Sequence, residues 1–507
     1  MSTEVPTVSL QGRRTFLEMD PEVFARAGHR LVDRIAELLR TLPERAVIPG
    51  ESPDEVRRVL DADRSLPEEG ADTEELLERA TEMLIEHSLY NGHPRFFGYI
   101  TAAPAPMGIL GDFLASAVNP NLGGWMLSPM ASEIEGQTVR WIADLLGFPA
   151  EGGGILTSGG NVANMLAFWA ARAARAGWDV RASGIRAPES AQLRVYGSEG
   201  THTWIQKAVD LSGLGSDAMR WIPALPDQRM DVDALRARIE ADREAGDRPF
   251  MVVGTGGSVS TGAVDDLPAL RALCDEHDLW FHVDGAYGGF AAASPLAPDD
   301  LRGLGLADSV AVDPHKWLYA PLEVGCTLVR DPDALLDAFS YRPPYFSLEE
   351  EVTNYFEHGI QNSRGFRAFK VWLQLQQAGR EGYVRMISED IELARRFHDI
   401  VEERPELEAF TQGLSITTYR YVPPDLRGRV GEDAVEAYLS ELNQAVQERM
   451  DHEGRAFVSN AVLDDRYLLR MCIVNFRTGL DDVEALADIS AEAGRAVDGE
   501  IRPDELR

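Results

Sequence analysis

Apolar residues near the start of the chain recur with the spacing of amphipathic helices. Asp20-Pro21 caps a run whose apolar side chains return every three or four residues, and residues 72–89 repeat this pattern. Prolines break the stretch between the two runs. The pattern therefore predicts an extended helical arm over residues 1–90, with apolar stripes that need a partner surface.

Farther along, short runs rich in β-forming residues alternate with helical patterns. The runs lie at 193–196, 249–254, 279–283, 308–312 and 325–329. This alternation is typical of a mostly parallel sheet covered by helices, so residues 91–380 are expected to form a large α/β domain. Polar residues follow four of these runs, and ligands bind outside the carboxyl ends of parallel strands. The sequence therefore predicts a ligand site at this edge of the sheet.

The pattern changes after about residue 380. Helical stretches there flank strand-like runs at 413–420 and 467–474. This mixture predicts a smaller α+β domain over residues 381–507.

Charge and cysteine content narrow the possible functions. The 507 residues carry a formal net charge of −34, which disfavours binding to nucleic acid and to anionic membranes. We expect neither an export signal nor a membrane span, because no apolar run follows a basic N-terminal segment or reaches the roughly 18 residues that a membrane helix needs. The three cysteines lie far apart, without zinc or disulfide spacing, which fits a reducing cytoplasm.

A glycine-rich run, Gly152 to Asn161, leads directly into a helical pattern over residues 162–175. Backbone N–H groups at such a helix start can bind a phosphate, although a glycine-rich turn can equally be a tight connection. The spacing is not the GxGxxG of dinucleotide-binding proteins. The run is a candidate phosphate site that needs support from other residues.

Asp284 ends an apolar strand and is followed by small residues that leave room for a planar ring. Its carboxylate could cap the next helix. It could instead pair with a pyridinium nitrogen and keep the ring protonated, so that the ring accepts electrons from a carbanion. His202, which follows an earlier strand, could stack on such a ring or be an ordinary core histidine.

Lys316 follows the next strand, within Asp313-Pro-His-Lys-Trp317. The other lysines are Lys207 and Lys370, both inside helical patterns, and the remaining cationic side chains are arginines. An amine can attack a carbonyl, whereas a guanidinium cannot. A lone lysine could be a surface residue, but its combination with Asp284 and the glycine-rich run favours an imine with an aldehyde cofactor.

The order of the motifs resembles that of a known family, the group II decarboxylases that depend on pyridoxal 5′-phosphate (PLP). This family includes the aromatic-L-amino-acid, glutamate and cysteine-sulfinate decarboxylases. The motifs that carry the resemblance are HPRFFGY (93–99), SPMASEIE (128–135), TSGGNVAN (157–164), HVDGAYGG (282–289) and DPHKW (313–317). The resemblance covers about residues 15–480. It implies PLP fold type I and a homodimer with active sites at the interface, with the N-terminal arm wrapped over the partner.

The resemblance also implies roles for single residues. Lys316 matches the lysine that carries PLP as a Schiff base, and Asp284 matches the partner of the pyridine nitrogen. His202 matches the histidine stacked on the ring, and Tyr345 matches a loop tyrosine that delivers a proton to the decarboxylated carbon. The expected cofactor-binding residues are Gly160, Asn161, His202, Thr255, Ser258, Asp284, Ala286, His315 and Lys316.

The chain departs from the family at two places, the first near the cofactor ring and the second in the substrate pocket. The family's Gly-Thr-Thr reads Gly257-Ser258-Val259, which replaces a hydroxyl near the ring by an isopropyl group, and residues 119–124 lack an aromatic residue found in aromatic-specific members. Tyr99 matches a pocket residue of those members, Trp125 lies nearby in the motif order, and Gly123 is expected to enlarge the pocket. Tyr99, Gly123 and Trp125 are therefore the predicted substrate-pocket residues.

These inferences predict a PLP-dependent carboxy-lyase that converts an L-amino acid, with an aromatic one favoured, into an amine and carbon dioxide. An acidic amino acid is an alternative substrate, but Arg364 and Arg470 fall at positions that could equally serve folding or the dimer. Aldehyde synthesis coupled to decarboxylation, another PLP lyase reaction, and a non-catalytic binding subunit of the same fold are the further alternatives.

Overall fold

The N-terminal part of the chain forms a small helical unit. The computed structural model describes residues 17–187, 190–341 and 352–507, and the chain divides into two compact units at Leu89/Tyr90. The first unit contains helices α1 (Pro21–Thr41), α2 (Pro53–Leu60) and α3 (Thr73–Glu86). Both helices that the apolar spacing predicted are confirmed. The short helix α2 lies in the proline-containing stretch, where no helix was predicted.

Capping residues and ion pairs define this helical unit. The Asp20 carboxylate accepts a hydrogen bond from the backbone N–H of Glu22 at 2.8 Å, which starts α1 at the predicted residue. Two arginines of α1, Arg30 and Arg34, pair with Glu74 and Glu78 of α3. The two helices therefore pack side by side within the unit.

The second unit, residues 90–507, contains all the strands that the structure describes. These are β1 (Phe96–Phe97), β2 (Gly153–Thr157), β3 (Leu193–Ser198), β4 (Met219–Ile222), β5 (Arg248–Thr255), β6 (Trp280–Asp284), β7 (Ser309–Val312), β8 (Gly325–Val329), β9 (Leu407–Gly413), β10 (Ile416–Tyr421), β11 (Phe457–Leu463) and β12 (Arg466–Cys472). Its α-helices are α4 (Pro106–Val118), α5 (Pro129–Leu146), α6 (Gly160–Arg175), α7 (Val180–Ser183), α8 (Trp204–Leu211), α9 (Val232–Glu244), α10 (Leu267–His277), α11 (Asp333–Phe339), α12 (Arg367–Glu403), α13 (Asp433–Glu453) and α14 (Leu480–Ile501).

Seven strands form the large sheet, in the order β2-β8-β7-β6-β5-β3-β4. Strands β3 to β7 pair in parallel with one another, whereas β8 runs antiparallel to both of its neighbours. The central strands are apolar and fully buried because helices cover both faces. The predicted mostly parallel sheet and fold type I class are confirmed. Strands β2 and β4 of this sheet were not predicted, and β2 lies within the glycine-rich run, which was interpreted as a turn.

A second sheet has the order β1-β11-β12-β10-β9. Its four C-terminal strands are antiparallel, and β1 joins β11 in parallel. The helices α13 and α14 accompany it, as the predicted α+β character requires. The domain boundary at residue 380 stays a prediction, although α12 kinks at Gly379, where φ is 63°.

The parallel strands aim the site residues at one edge. Thr255 and Asp284 are the last residues of β5 and β6 and lie side by side in the sheet. The turn after β2 and the loop after β7 reach the same edge. No α-helix among the described residues has the length and apolar character needed to cross a bilayer.

Candidate active site

A cavity of about 240 Å³ opens at the carboxyl edge of the large sheet. All nine residues predicted to bind the cofactor line it. The other lining residues are Ser158, Gly159, Asn164, Gly200, Gly257, Val259, Tyr287 and Asp313. A larger crevice of about 630 Å³ lies near the opposite end of β6, but its described lining contains no lysine.

Lys316 presents its amine to this cavity from the loop after β7. Its Nζ lies 3.0 Å from Oδ2 of Asp313, and Nε2 of His315 lies 3.6 Å from the same oxygen. Desolvation lowers the pKa of His315, against the opposing effect of Asp313. The His315 Nδ1 accepts a hydrogen bond from the backbone N–H of Val324, which fixes the ring. The loop therefore holds an amine and an imidazole around one buried carboxylate.

The segment that follows Lys316 is anchored in the core. The Trp317 indole N–H and the Tyr319 hydroxyl both donate to Oδ2 of Asp390, at 3.0 and 2.9 Å. Asp390 belongs to α12 and is fully buried, and desolvation raises its pKa to about 7. The Tyr287 ring stacks on Trp317 at 5.1 Å. These contacts restrict the backbone that carries the amine.

Asp284 offers a carboxylate whose remaining lone pairs are free to meet a ligand. Its Oδ2 accepts from the indole N–H of Trp204 at 2.7 Å, and its Oδ1 accepts from the backbone N–H of Ala286 at 3.1 Å. Each carboxylate oxygen can accept a second hydrogen bond. Trp204 is fully buried, so this partner fixes the carboxylate from the side away from the cavity.

His202 stands beside the same carboxylate. Its Nδ1 accepts from the backbone N–H of Trp204 at 3.2 Å, which places the proton of the neutral ring on Nε2. Desolvation lowers the pKa of His202, and the negative charge of Asp284 opposes that shift. A neutral, oriented imidazole is suited to stacking on a ring and to donating one proton.

The glycine-rich turn ends at the first residue of α6. Gly159 has φ 122°, a conformation that favours glycine, and no side chain caps the N–H groups of the first turn. A Cβ added at Gly160 would lie 2.7 Å from Oδ2 of Asp313 and 3.1 Å from Cβ of Ala286. Glycine at 160 therefore permits the close approach of Asp313 and Ala286, and among the described residues the backbone donors at this positive helix end have no side-chain cap.

The loop after β5 supplies the remaining wall. The Ser258 hydroxyl is hydrogen-bonded to the Thr261 hydroxyl at 2.8 Å, and the Thr255 backbone N–H donates to Oδ2 of Asp265 at 2.7 Å. Desolvation raises the pKa of the buried Asp265 carboxyl to about 6. Val259 adds an apolar patch to the lining. This wall combines hydroxyls with an isopropyl group.

The predicted substrate-pocket residues do not belong to this cavity within the described chain. Neither Tyr99 nor Gly123 nor Trp125 is among its lining residues. A Cβ at Gly123 would lie 2.1 Å from the carbonyl oxygen of Asn362, so glycine there permits a close approach of two backbone segments. The expectation that Gly123 enlarges the substrate pocket stays a prediction.

Tyr99 and Trp125 are held by other contacts. The Tyr99 backbone N–H donates to the Ser459 hydroxyl at 3.3 Å, and its side chain is 60 % exposed. The Trp125 indole N–H donates to Glu133 at 2.9 Å. Tyr345, the predicted proton donor, lies outside the described residues.

Arg364 and Arg470, whose roles the sequence did not decide, have different surroundings. Arg364 and Glu135 form a fully buried ion pair, with contacts of 2.5 and 3.0 Å. Arg470 is also buried, but it donates to the Val259 carbonyl and to the Ser459 hydroxyl. Among the described residues, no carboxylate lies within ion-pair distance of Arg470. Desolvation lowers the pKa of this guanidinium.

Sequence reasoning missed several residues of the site. Asp313 was quoted in the lysine motif without a role, yet it contacts Lys316 directly. Trp204 follows His202 by two residues and was not recognised as the partner of Asp284. Asn164 stands in the glycine-rich motif and lines the cavity. Proximity to an assigned residue was the available signal in each case.

The chain matches a known protein family. Residues 53–420 match the family described as the pyridoxal-dependent decarboxylase conserved domain. The chain is 32 % identical over 473 residues to an aromatic-L-amino-acid decarboxylase from Bacillus atrophaeus, and the match covers 92 % of this chain and 94 % of that protein.

Solved structures show the same fold. Mouse CSAD superposes with a TM-score of 0.88 at 27 % identity and covers 94 % of this chain and 99 % of its own. Oryza sativa TDC, solved with PLP and tryptamine, superposes with a TM-score of 0.87 at 26 % identity and covers 95 % of this chain and 99 % of its own. PLP is accordingly the cofactor of this chain.

The cavity fits PLP on its own features. The turn before α6 suits a phosphate because it lines the cavity at the positive end of a helix whose N–H groups have no side-chain cap among the described residues. The Asp284 carboxylate suits a protonated pyridine nitrogen, and the Lys316 amine suits the aldehyde. Three chemically distinct parts of one ligand thus have matching partners in one cavity.

Proposed function

This chain belongs to the pyridoxal-dependent decarboxylase family, and we propose that within this family it converts an aromatic L-amino acid into the corresponding amine. The chain is a PLP-dependent carboxy-lyase. The observation that carries the site assignment is the convergence of Lys316, Asp284 and the turn at Gly160 on one cavity.

When bound, PLP supplies an electron sink for the charge left by the departing carboxyl group. In our proposal Lys316 holds the cofactor aldehyde, and Asp284 keeps a proton on the pyridine nitrogen. Gly160 and Asn161 bind the phosphate with backbone N–H groups. His202 and Ala286, which both line the cavity, would contact the ring. Trp204 keeps the Asp284 carboxylate oriented through its indole N–H.

The cavity chemistry supports an aromatic substrate. The side chain of an acidic substrate requires a desolvated cation, best supplied by arginine, and the described cavity lining contains no arginine. Arg364 is unsuited because Glu135 already neutralises it. Carbon dioxide release from a panel of aromatic and acidic amino acids tests the proposal. A kcat/KM for glutamate or aspartate more than about tenfold above those for tryptophan, tyrosine and phenylalanine would overturn it.

One observation favours a second candidate, an acidic amino acid. Arg470 is a buried cation that donates to Val259, a residue of the cavity lining, and lacks a carboxylate partner among the described residues. Arg470→Gln separates the two candidates. A loss of glutamate or aspartate turnover far larger than any loss with aromatic substrates supports the acidic candidate.

We propose an amine rather than an aldehyde as the product. The support is that His202 lines the cavity and that the sequence retains Tyr345, the expected proton donor. Peroxide and ammonia measured together with carbon dioxide test this point. Stoichiometric amounts of both would establish aldehyde formation instead.

We further propose a homodimer. Apolar side chains on α4 and in the segment that follows it are more than half exposed, and a second copy would remove them from water. They are Leu110, Phe113, Leu114, Val118, Met126, Leu127 and Met130. Sedimentation equilibrium of the holoenzyme tests the dimer, and Phe113→Asp should shift it to monomer.

A cytoplasmic location completes the proposal. Cys274, Cys326 and Cys472 are all buried and unpaired, which suits a reducing compartment. Fractionation of cells that express the tagged chain tests this location.

A further inference from the structure

A buried chain of hydrogen bonds runs through the large sheet to the glycine-rich turn. It links Trp280 Nε1 to Ser309 Oγ (2.8 Å), Ser309 Oγ to His282 Nδ1 (2.8 Å), His282 Nε2 to Asn164 Oδ1 (2.7 Å), and Asn164 Nδ2 to the Gly160 carbonyl oxygen (2.9 Å). His282, Asn164 and Ser309 are 0 to 1 % exposed. None of the roles assigned above uses His282.

The two ends of this chain fix the direction of every bond. The Gly160 carbonyl can only accept, so the Asn164 amide nitrogen faces it and the Asn164 oxygen faces His282. His282 therefore donates from Nε2. Burial keeps the ring neutral and lowers its pKa to about 4, so Nδ1 accepts from the Ser309 hydroxyl. The Trp280 indole, which can only donate, satisfies the Ser309 oxygen from the other side.

The geometry of the peptide bond carries this order into the cavity. The Gly160 carbonyl and the Asn161 N–H belong to one planar trans peptide group, so holding the oxygen also orients the N–H. Gly160 has no side chain to restrict its backbone, and no side chain caps this helix start. Because α6 begins at Gly160, this carbonyl also accepts the backbone N–H of Asn164. The Asn164 side chain adds a second hydrogen bond to the same oxygen and so helps to hold this peptide plane.

We propose that His282 is a positioning residue for the cofactor phosphate: acting through Asn164, it holds the Gly160–Asn161 peptide so that the Asn161 N–H points at the phosphate. This inference rests on the phosphate placement proposed above. It adds a residue outside the cavity to the determinants of cofactor affinity.

The test compares two ligands that cannot form an imine with Lys316. Pyridoxamine 5′-phosphate and pyridoxamine differ only in the phosphate. Titration calorimetry of the apoenzyme gives both dissociation constants, and the pyridoxamine constant divided by the pyridoxamine 5′-phosphate constant isolates the contribution of the phosphate. His282→Asn keeps an acceptor near Ser309 but is too short to reach Asn164. The Asn164 amide oxygen then lacks its partner, which should lower the ratio about tenfold and leave the affinity for pyridoxamine unchanged.

Matched variants separate positioning from general damage. His282→Gln places an amide N–H near the former Nε2 and should keep the ratio within about twofold of the wild-type value. Thr327→Val removes a buried hydrogen bond from β8 to the Ala163 carbonyl of the same helix α6. It should lower the melting temperature without changing the ratio.

The outcomes distinguish the inference from its premise. A wild-type ratio close to one would refute the phosphate placement itself. A wild-type ratio well above one that His282→Asn leaves unchanged would overturn the role of His282, as would an equal weakening of both ligands. If His282→Asn does not fold, Ser309→Ala is measured in its place. A lowered ratio supports the role of this hydrogen-bond chain in positioning the phosphate, and an unchanged ratio overturns it.

Discussion

The cofactor side and the substrate side of the cavity are built in different ways. On the cofactor side, Lys316, Asp284 and Gly160 come from the ends of β7, β6 and β2 of one sheet, and buried partners hold each of them. On the substrate side, Tyr99 and Trp125 belong to segments whose contacts lie elsewhere, and neither lines the cavity. The described chain thus builds the cofactor cradle, whereas the residues predicted to bind the substrate side chain lie outside it.

The difference shows what a parallel sheet can and cannot specify. Strand ends in register bring short motifs together irrespective of the surrounding chain, so the chemistry common to the family is encoded locally. The α4 face, by contrast, carries exposed apolar side chains that a second copy is proposed to cover.

Loss of the Lys316 amine should have the largest effect. Lys316→Ala removes the only lysine that lines the described cavity, and turnover should fall by about 10³-fold or more because nucleophile replacements cost that much. The control is Lys370→Arg, since Lys370 pairs with Asp112 on α4. Wild-type turnover by Lys316→Ala would show that Lys316 does not hold the cofactor.

Breaking the buried Arg364–Glu135 pair should affect folding more than substrate choice. Arg364→Gln leaves Glu135 charged and buried, and the free energy of unfolding should fall by about 3–5 kcal/mol. Urea denaturation measures the loss. The double variant Arg364→Gln/Glu135→Gln should recover part of it, and a change of substrate preference without loss of stability would contradict the assignment.

Neutralising Asp284 should slow the reaction and leave the fold intact. Asp284→Asn should lower kcat by about 10²–10³-fold, the typical cost of losing one oriented electrostatic contact. Trp204→Phe removes one hydrogen bond to the same carboxylate but keeps its charge. Its effect should be at least tenfold smaller, and equal effects would show that orientation outweighs charge.

Filling the space at Gly123 should destabilise the chain without altering selectivity. Gly123→Ala forces a Cβ against the Asn362 carbonyl oxygen, which should cost about 1–3 kcal/mol. The ratio of kcat/KM for tryptophan over tyrosine should stay within about twofold. Gly124→Ala is the control, because its Cβ would meet Asn354 at an ordinary 3.6 Å. A selective loss of tryptophan turnover would show that position 123 borders the substrate side chain.

The smallest effect concerns the carboxyl group that anchors Trp317 and Tyr319. Desolvation raises the pKa of folded Asp390 to about 7, above its usual value near 3.9. The folded chain therefore keeps a proton that the unfolded chain releases, and this contribution to stability is lost as pH rises from about 4 to 7. Asp390→Asn stays neutral throughout, so its stability should decline by about 1–2 kcal/mol less than wild type between pH 5 and pH 7.

Thermal unfolding at pH 5 and pH 7 measures this difference. Equal declines for wild type and Asp390→Asn would show that Asp390 is ionised in the folded state at both values. Other titrating groups cancel in the comparison because the two proteins differ at one residue.

The sequence was sufficient to predict five strands of the large sheet and the residues that line the cofactor side of the cavity. The runs that became β3, β5, β6, β7 and β8 were apolar because both sheet faces are covered, and the residues after them had to meet at one edge. Gly123 shows the limit of this reasoning. Its role depends on how closely the distant Asn362 backbone approaches, and nothing in the local pattern records that distance. Arg364 and Arg470 could not be separated for the same reason.

The attachment of the cofactor tests the central claim most directly. Holoenzyme reduced with borohydride and digested should yield, by mass spectrometry, one pyridoxyl-modified peptide, with the label on Lys316. The cavity geometry predicts this result because the Lys316 Nζ reaches the lining together with Asp284 and Gly160. A label on Lys207 or Lys370, or no label on a PLP-saturated enzyme that releases carbon dioxide, would contradict the account.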